Sequence, residues 1–399
     1  MNVASPVQQP ARLHEIDLLR ITAALAVVFY HYTFSGFAKG QTGVAFPTAG
    51  EFSRYGYLGV DLFFVISGFV VLLSALNRSP EKFVISRIVR LYPAFWVSVT
   101  LTSIVSVLFS QGMFQVSPLQ YLANVTMFNP VFGVDNIDVV YWTLWAELRF
   151  YVIIFVLTCI GITRRRLLTV MWAWLAATFL LESGLLPLGL SAVLDYAVQS
   201  QYSHYFIAGM ALCLVYRFGP SWSSWAIVAV ALGNAVYRGV PFSGDVAVRY
   251  RVDLNPAVVV TVIAAIFLLI ALVALGVTSR IAKPWFATAG SLTYPLYLIH
   301  AHIGFVVFSR LQASVDPYVL LFGTVLVMCL VAWGMHVTVE RRFGPLLKRS
   351  LERLAAALRH RLPRTRAQSH SAGIDPPTEP LAMPVFSHHE HSDGGRRAT

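Results

Sequence analysis

Ile16-Asp-Leu-Leu-Arg20-Ile-Thr-Ala-Ala-Leu-Ala-Val-Val-Phe-Tyr-His31-Tyr-Thr-Phe34 is an apolar run of membrane-spanning length that carries an arginine and a histidine. A span needs about 20 apolar residues, and ionisable groups inside one are costly and mark functional sites by default. Arg20 and His31 lie eleven positions apart. At ~100° per residue that step returns to within about 20° of its starting direction, so both side chains share one helix face, roughly 16 Å apart along the axis. A plainer reading makes Arg20 an interfacial anchor and has His31 hydrogen-bond a neighbouring helix. Asp17, one turn before Arg20, is placed to pair with it.

Similar apolar runs recur along most of the chain. The sequence is 57% hydrophobic and 12% charged with a mean hydropathy of +0.65, where soluble chains carry about 25% charged residues. The pattern predicts an all-α, polytopic membrane protein with spans near 15–36, 56–76, 91–110, 140–161, 167–183, 202–217, 222–238, 255–276, 289–310 and 317–339. The stretch 185–200, interrupted by Pro187 and Gly189, reads as a loop or an interfacial piece. The net charge of +11 does not indicate nucleic acid, because the excess sits in short connections and the tail. Arg78, Lys82, Arg87 and Arg90, then Arg164 to Arg166, Arg217, Arg280, Lys283, Arg341 and Arg342 fall on one side. The opposite loop 111–139 has neither Lys nor Arg. By the positive-inside rule both ends lie in the cytoplasm. Cys159, Cys213 and Cys329 fall in apolar spans and read as packing residues. The first span has no small-residue cleavage site directly after it and reads as retained. The domain organisation is a cytoplasmic segment 1–13, a membrane domain 14–340, a basic amphipathic helix over 341–363 on the inner leaflet, and a disordered polar tail 364–399. The tail cluster His388-His389-Glu390-His391 reads as solvated chain, so no metal site is expected. Asn124-Val-Thr126 fits a glycosylation acceptor pattern too short to carry weight.

Four further polar groups need explaining. Glu147, in Tyr141-Trp-Thr-Leu-Trp-Ala-Glu147-Leu-Arg149, lies at about the same depth as His31. A carboxylate there could fix the imidazole tautomer, or could pair with Arg149 for burial. Arg87 and Arg90 project together from the connection Ser86-Arg87-Ile-Val-Arg90-Leu-Tyr92-Pro93. They suit a phosphate clamp as well as ordinary anchoring. Gly59-Val-Asp61-Leu-Phe-Phe-Val-Ile-Ser67-Gly68 places Asp61 near the outer end of its span and Ser67 and Gly68 deep within it. Tyr294, Tyr297 and His300 recur every third residue as a polar stripe beside Pro295, which can free backbone carbonyls to line a cavity or simply mark a packed seam.

Together these elements resemble the acyltransferase-3 family of integral membrane O-acyltransferases. The parts fall in family order: Asp17-Leu-Leu-Arg20 with its step to His31, Gly59-Val-Asp61 through Ser67-Gly68-Phe69, Arg87-x-x-Arg90-Leu-x-Pro93, Trp142-Thr-Leu-x-x-Glu147, and Ser291-Leu-Thr-Tyr294-x-Leu-Tyr297-Leu-x-His300. Leu19 and Thr293 stand where the family often has Gly and Ser. The resemblance implies a multi-pass enzyme of the bacterial cytoplasmic (inner) membrane with ten core spans. It implies transfer of an acyl group, most often acetyl, from cytoplasmic acyl-CoA to a hydroxyl of a carbohydrate or glycan, with acyl-CoA as donor substrate and no tightly bound cofactor.

Acyl transfer needs a base, oxyanion support and a hold on the donor. The residues then divide into His31 as general base with Glu147 as its orienting partner, and Arg20, Arg87 and Arg90 on the CoA phosphates. Asp61, Ser67, Tyr294, Tyr297 and His300 are left toward the acceptor. Direct transfer and an acyl-histidine intermediate both remain open. A rival reading from another class is a proton-coupled transporter with His31 and Glu147 as relay. The inner arginine pair and the lack of inverted repeats count against it.

Overall fold

The structure is a computed structural model that describes residues 13–361, with side chains to Arg359. It divides into two compact units, Met1–Ala355 and Ala356–Thr399, and of the second only the end of one helix is described. The proposed tail, its histidine cluster and nearly all of the N-terminal segment lie outside the described residues.

The described chain is helical, with no strand. The long helices are α1 (His14–Tyr30), α2 (Gly59–Ala75), α3 (Pro80–Phe109), α4 (Trp142–Ile160), α5 (Arg164–Glu182), α6 (Leu188–Val198), α7 (Ser200–Phe218), α8 (Trp222–Tyr250), α9 (Pro256–Ala274), α10 (Phe286–Leu311), α11 (Pro317–Met335) and α12 (Arg341–Arg361). The starts are written in the sequence. Ser79-Pro80, Asn255-Pro256 and Asp316-Pro317 each put a side-chain acceptor at the N-cap and a proline in the first turn. Ser79 accepts from the Lys82 amide, Asn255 from Ala257 and Asp316 from Tyr318 and Val319. These groups satisfy amides the helix itself cannot. Gly161 and Gly219 follow α4 and α7 with φ of +83° and +81°, a conformation that glycine adopts without strain.

Every predicted span falls on a helix. Among the described residues eight helical segments are long and apolar enough to cross a membrane, against the ten spans expected; α5 and α7 are not among the eight. The spans expected near 167–183 and 202–217 coincide with α5 and α7, which are 19 residues each. The protein is an all-α polytopic membrane protein. Three expectations need correction. Arg87 and Arg90 are not in a connecting loop: α3 begins at Pro80, so both sit on its first three turns. Within 185–200, read as a loop or an interfacial piece, Leu188–Val198 forms the short helix α6 and Ser200 already opens α7, so the loop reading is the one set aside. Residues 239–250, which fall between the spans expected at 222–238 and 255–276, continue α8, since Pro241 does not end that helix.

Two packing devices position the site. α1 runs against α10 and α2, and α2 runs against α7. The α2–α7 contact is made by Gly68 and Gly209. A Cβ at Gly68 would overlap the Phe206 carbonyl oxygen, and one at Gly209 would overlap that of Val65. Bare backbones thus touch, as small residues allow in membrane helix pairs. At its far end α1 passes into a π-helical turn, His31–Ser35, a feature often found at functional sites.

The 111–139 connection is ordered by Asn124, which is 1% exposed. Its amide nitrogen donates to the Gln120 and Asp135 carbonyls, and its oxygen accepts from the Ile137 amide. Asn124 is therefore a buried clamp and not a glycan acceptor. Asn124→Ala would strand the Ile137 amide and is expected to cost about 2–3 kcal/mol, read as a lower thermal unfolding midpoint of the purified protein.

Candidate active site

A cavity of about 380 Å³ lies among α1, α2, α3, α4 and α10. Four arginines line it: Arg20 from α1, Arg78 just before α3, and Arg87 and Arg90 from α3. Ser67 of α2, Glu147 and Tyr151 of α4, and Thr293, Tyr294 and Tyr297 of α10 complete its polar wall. The sequence pattern thus brings Arg20, Arg87, Arg90, Ser67, Glu147, Tyr294 and Tyr297 to one chamber.

The cations in it are incompletely neutralised. Arg90 meets Glu340 at 3.6 Å and lies over the Tyr294 ring. Arg87 lies over the Phe83 and Tyr151 rings, 5.6 Å from each centroid, and its Nε donates to Ser86. It makes no ion pair among the described residues. Arg20 is within electrostatic reach of Arg90, Glu147 and Asp17. Burial, and then the neighbouring Arg87 charge, lower the pKa of Arg78 from the ordinary arginine value. Like charges held together in a partly dry chamber favour a polyanionic guest, and guanidinium forks match phosphate oxygens.

Glu147 does not reach His31. Its Oε1 accepts from Ser67 Oγ at 3.0 Å and from the Tyr151 hydroxyl at 2.6 Å. The pairing expected from matched depth fails because α4 packs against α2 and α3, which turns the carboxylate toward the arginine chamber. Nor does Arg149 quench Glu147. It lies over Trp145 and Tyr196 and donates to the Tyr196 carbonyl at 3.3 Å. Residues two apart on a helix point about 200° apart, so the two side chains leave α4 on opposite sides.

The partner of His31 is His300. His31 Nδ1 stands 2.9 Å from the Val27 carbonyl oxygen and 3.2 Å from His300 Nε2. A carbonyl can only accept, so Nδ1 carries the proton and His31 Nε2 holds the lone pair. His300 Nδ1 lies 2.8 Å from the Tyr297 carbonyl and donates to it, which leaves His300 Nε2 to accept from His31. The two tautomers fix each other. Tyr32 donates to the His300 carbonyl at 2.7 Å, and Gly304 leaves room for the Tyr32 ring. His31 and His300 do not line the arginine chamber. Tyr297 links the two regions: it lines the chamber, bonds the Thr143 hydroxyl at 3.1 Å, and has its ring 5.6 Å from that of His300.

Asp61 lies elsewhere, in a second cavity, where its Oδ2 accepts from the Tyr205 hydroxyl at 2.9 Å. Tyr151, Thr143 and Arg78 also line the chamber without standing out in the sequence as site residues. Nor does Asp138 stand out there, although it is fully buried and accepts from the His302 amide in the middle of α10. Tyr151 was the most legible of these: it follows Glu147 by four residues, the spacing that makes helix neighbours.

A family model described as an acyltransferase domain matches residues 13–337. The exopolysaccharide production protein ExoZ of Rhizobium meliloti is 26% identical over 327 residues, covering 77% of this chain and 95% of that protein. The peptidoglycan O-acetyltransferase OatA of Listeria monocytogenes is 31% identical over 157 residues, or 35% of this chain. That match spans only 23% of OatA's own length. Nodulation protein 10 of Rhizobium leguminosarum is 28% identical over 161 residues, 35% of this chain and 42% of that protein. No solved structure matches.

Proposed function

The chain belongs to the acyltransferase-3 family, and from that premise we propose that it is a membrane O-acyltransferase moving acetyl from cytoplasmic acetyl-CoA to a glycan hydroxyl. That it is an acyl-transferring enzyme follows from the family. The donor, the acceptor and the residue roles are the proposal. The observation that carries it is the chamber in which four arginines face a single cavity wall with Glu147. Such a chamber suits the phosphates of CoA. Glu147, held by Ser67 and Tyr151 and within reach of Arg20, keeps part of that positive charge in register.

The pantetheine arm would run along α1 from the arginines toward Tyr297. The ~16 Å between Arg20 and His31 suits an extended arm, whose thioester would then lie near the histidine pair. There His31 Nε2 takes the proton of the acceptor hydroxyl as its oxygen bonds to the thioester carbonyl carbon. The carbon–sulfur bond breaks, and the proton passes from His31 to the departing thiolate. His300 positions His31 by accepting its Nδ1–H, the role that the sequence alone assigns to Glu147. The relatives' names, a peptidoglycan O-acetyltransferase for OatA and an exopolysaccharide production protein for ExoZ, support a carbohydrate acceptor here. A cytoplasmic CoA chamber fits the arginine-rich side of the positive-inside pattern and a bacterial inner-membrane location.

Arg87→Ala tests the donor site. It is expected to raise the apparent KM for acetyl-CoA about tenfold or more, the cost of losing one charge-assisted contact, with a much smaller change in the acceptor KM. Steady-state thiol release at varied acetyl-CoA measures it, and an unchanged donor KM would reduce Arg87 to an anchor.

A further inference from the structure

We propose that the second cavity, bounded by α2, α7 and α8, holds a sugar ring of a neutral glycan acceptor beside the unit that is acylated. It measures about 450 Å³ and is separate in its lining from the arginine chamber. The proposal rests on the acyl-transfer reading above and names where the other substrate sits.

Three observations carry it. The first is the chemistry of the lining. Asp61 and Asp245 supply carboxylate acceptors, and Tyr202, Tyr205 and Tyr237 supply ring faces and hydroxyls. Asp61 uses Oδ2 for Tyr205, and its other oxygen remains able to accept. Carboxylates and aromatic faces side by side suit a polyhydroxylated ring, whose C–H faces stack and whose hydroxyls donate. The one cation, Arg238, lies 3.6 Å from Glu182, so the cavity lacks the excess positive charge that a phosphate or a uronate-rich polymer would want.

The second observation is unspent hydrogen-bonding capacity. His204 lines the cavity and is 1% exposed, yet its ring nitrogens fall short of hydrogen-bond geometry with Asn234 and the Ser200 backbone, the polar groups beside them. Buried polar groups are normally satisfied, and a ligand hydroxyl, directly or through water, would satisfy this one. The Tyr57 hydroxyl, on the way to His31, also has no hydrogen-bond partner among the described residues.

The third is continuity with the reacting centre. His31 touches Tyr30 (ring centroids 5.1 Å), Tyr30 touches Tyr57 (6.0 Å), and Tyr57 touches Phe242 (5.9 Å), which lines the cavity. Tyr250 flanks Tyr30 at 6.4 Å. An aromatic track therefore joins the cavity to the histidine pair. Asp61 starts α2, Tyr202 and Tyr205 start α7, and Tyr237 and Asp245 lie late in α8. In an up-and-down chain whose N-terminus is cytoplasmic, these positions share the outer membrane face. They lie opposite the arginines near the starts of α1 and α3, while the chamber those arginines line reaches back toward that face at Val60, Phe64 and Thr143. Donor and acceptor would then approach His31 from opposite sides.

The test uses purified full-length protein and saturation-transfer NMR with neutral tetrasaccharides of glucose, galactose and N-acetylglucosamine. Wild type is expected to transfer saturation to at least one of them. Asp61→Asn and Tyr202→Ala are expected to weaken its binding about tenfold, the loss of one good polar or stacking contact. Arg87→Ala should leave it unchanged. Size-exclusion and thermal-melt profiles matching wild type check that the variants fold, and Tyr205→Phe, which keeps the ring, stands in if Tyr202→Ala does not. Absence of transfer to every sugar, or equal transfer in wild type and the cavity variants, would overturn the proposal. Acetyl-CoA consumption, followed separately, reports on the acyl-transfer reading: a protein that binds sugar through Asp61 but never cleaves the thioester would sink that reading and leave the cavity assignment standing.

Discussion

His31→Ala is expected to lower acetyl transfer by about 10²–10⁴-fold, the range that a positioned general base supplies. Donor binding should be retained, because His31 does not line the arginine chamber. The prediction follows from the tautomers. His31 Nδ1 is committed to Val27 and His300, so Nε2 is the nitrogen with a lone pair to offer, and no other imidazole shares that position. His300 should behave differently. His300→Ala removes the acceptor that orients His31 and should lower kcat with little effect on either KM. His300→Gln, which restores an acceptor oxygen, should recover part of the loss. Single-turnover rates for the three variants measure this. Near-wild-type transfer by folded His31→Ala protein would dismiss His31 as the base. Equal loss in His300→Ala and His300→Gln would mean that His300 does more than accept a hydrogen bond.

The second large effect is on folding. Gly209→Val is expected to abolish recovery of monodisperse protein, and Gly68→Ala to lower the thermal midpoint strongly. At both positions an added Cβ would fall on backbone of the facing helix, which no rotamer change relieves. Overpacking a tight core costs about 1–3 kcal/mol and more where backbone must move. Here the cost lands between α2 and α7. These helices carry Ser67 to the arginine chamber, and Asp61 and Tyr205 to the second cavity. Gly233 makes a matched control, because a Cβ there meets nothing. Gly233→Ala should yield protein like wild type. If Gly209→Val protein were as stable as Gly233→Ala protein, the close approach of α2 and α7 would be wrong.

The sequence was informative where one-dimensional spacing has a direct physical consequence. Each predicted span became a helix, because long apolar runs have few alternatives in lipid; three of them also open on Ser-Pro, Asn-Pro or Asp-Pro. The shared face of Arg20 and His31 was also readable. Both look toward α10, Arg20 into the chamber beside Tyr294 and Tyr297, and His31 onto His300. What spacing could not supply was azimuth between helices. Glu147 and His31 match in depth, yet α4 turns Glu147 to Ser67 and Tyr151. Asp61 and Ser67 are six residues apart on one helix, which separates them by about 240° and sends them to different cavities. Arg149, a neighbour of Glu147 in sequence, points away for the same reason. The buried Asp138 left no signal, because its importance lies in accepting the His302 amide across 164 positions of chain. Only the fold brings that pair together.

On the proposed reading the donor chamber and the acceptor cavity lie on different sides of α2, so one substrate need not leave for the other to enter. The π-helical turn His31–Ser35 lies where α1 meets the aromatic track.

The most direct measurement incubates purified full-length protein with radiolabelled acetyl-CoA and the neutral glycans, and follows free thiol and alkali-labile label on the sugar together. The account predicts thiol release and ester-bound label rising in step, both lost in His31→Ala. Intact thioester and unlabelled sugar would contradict it, above all if the same protein carried solute across a vesicle membrane in response to a proton gradient.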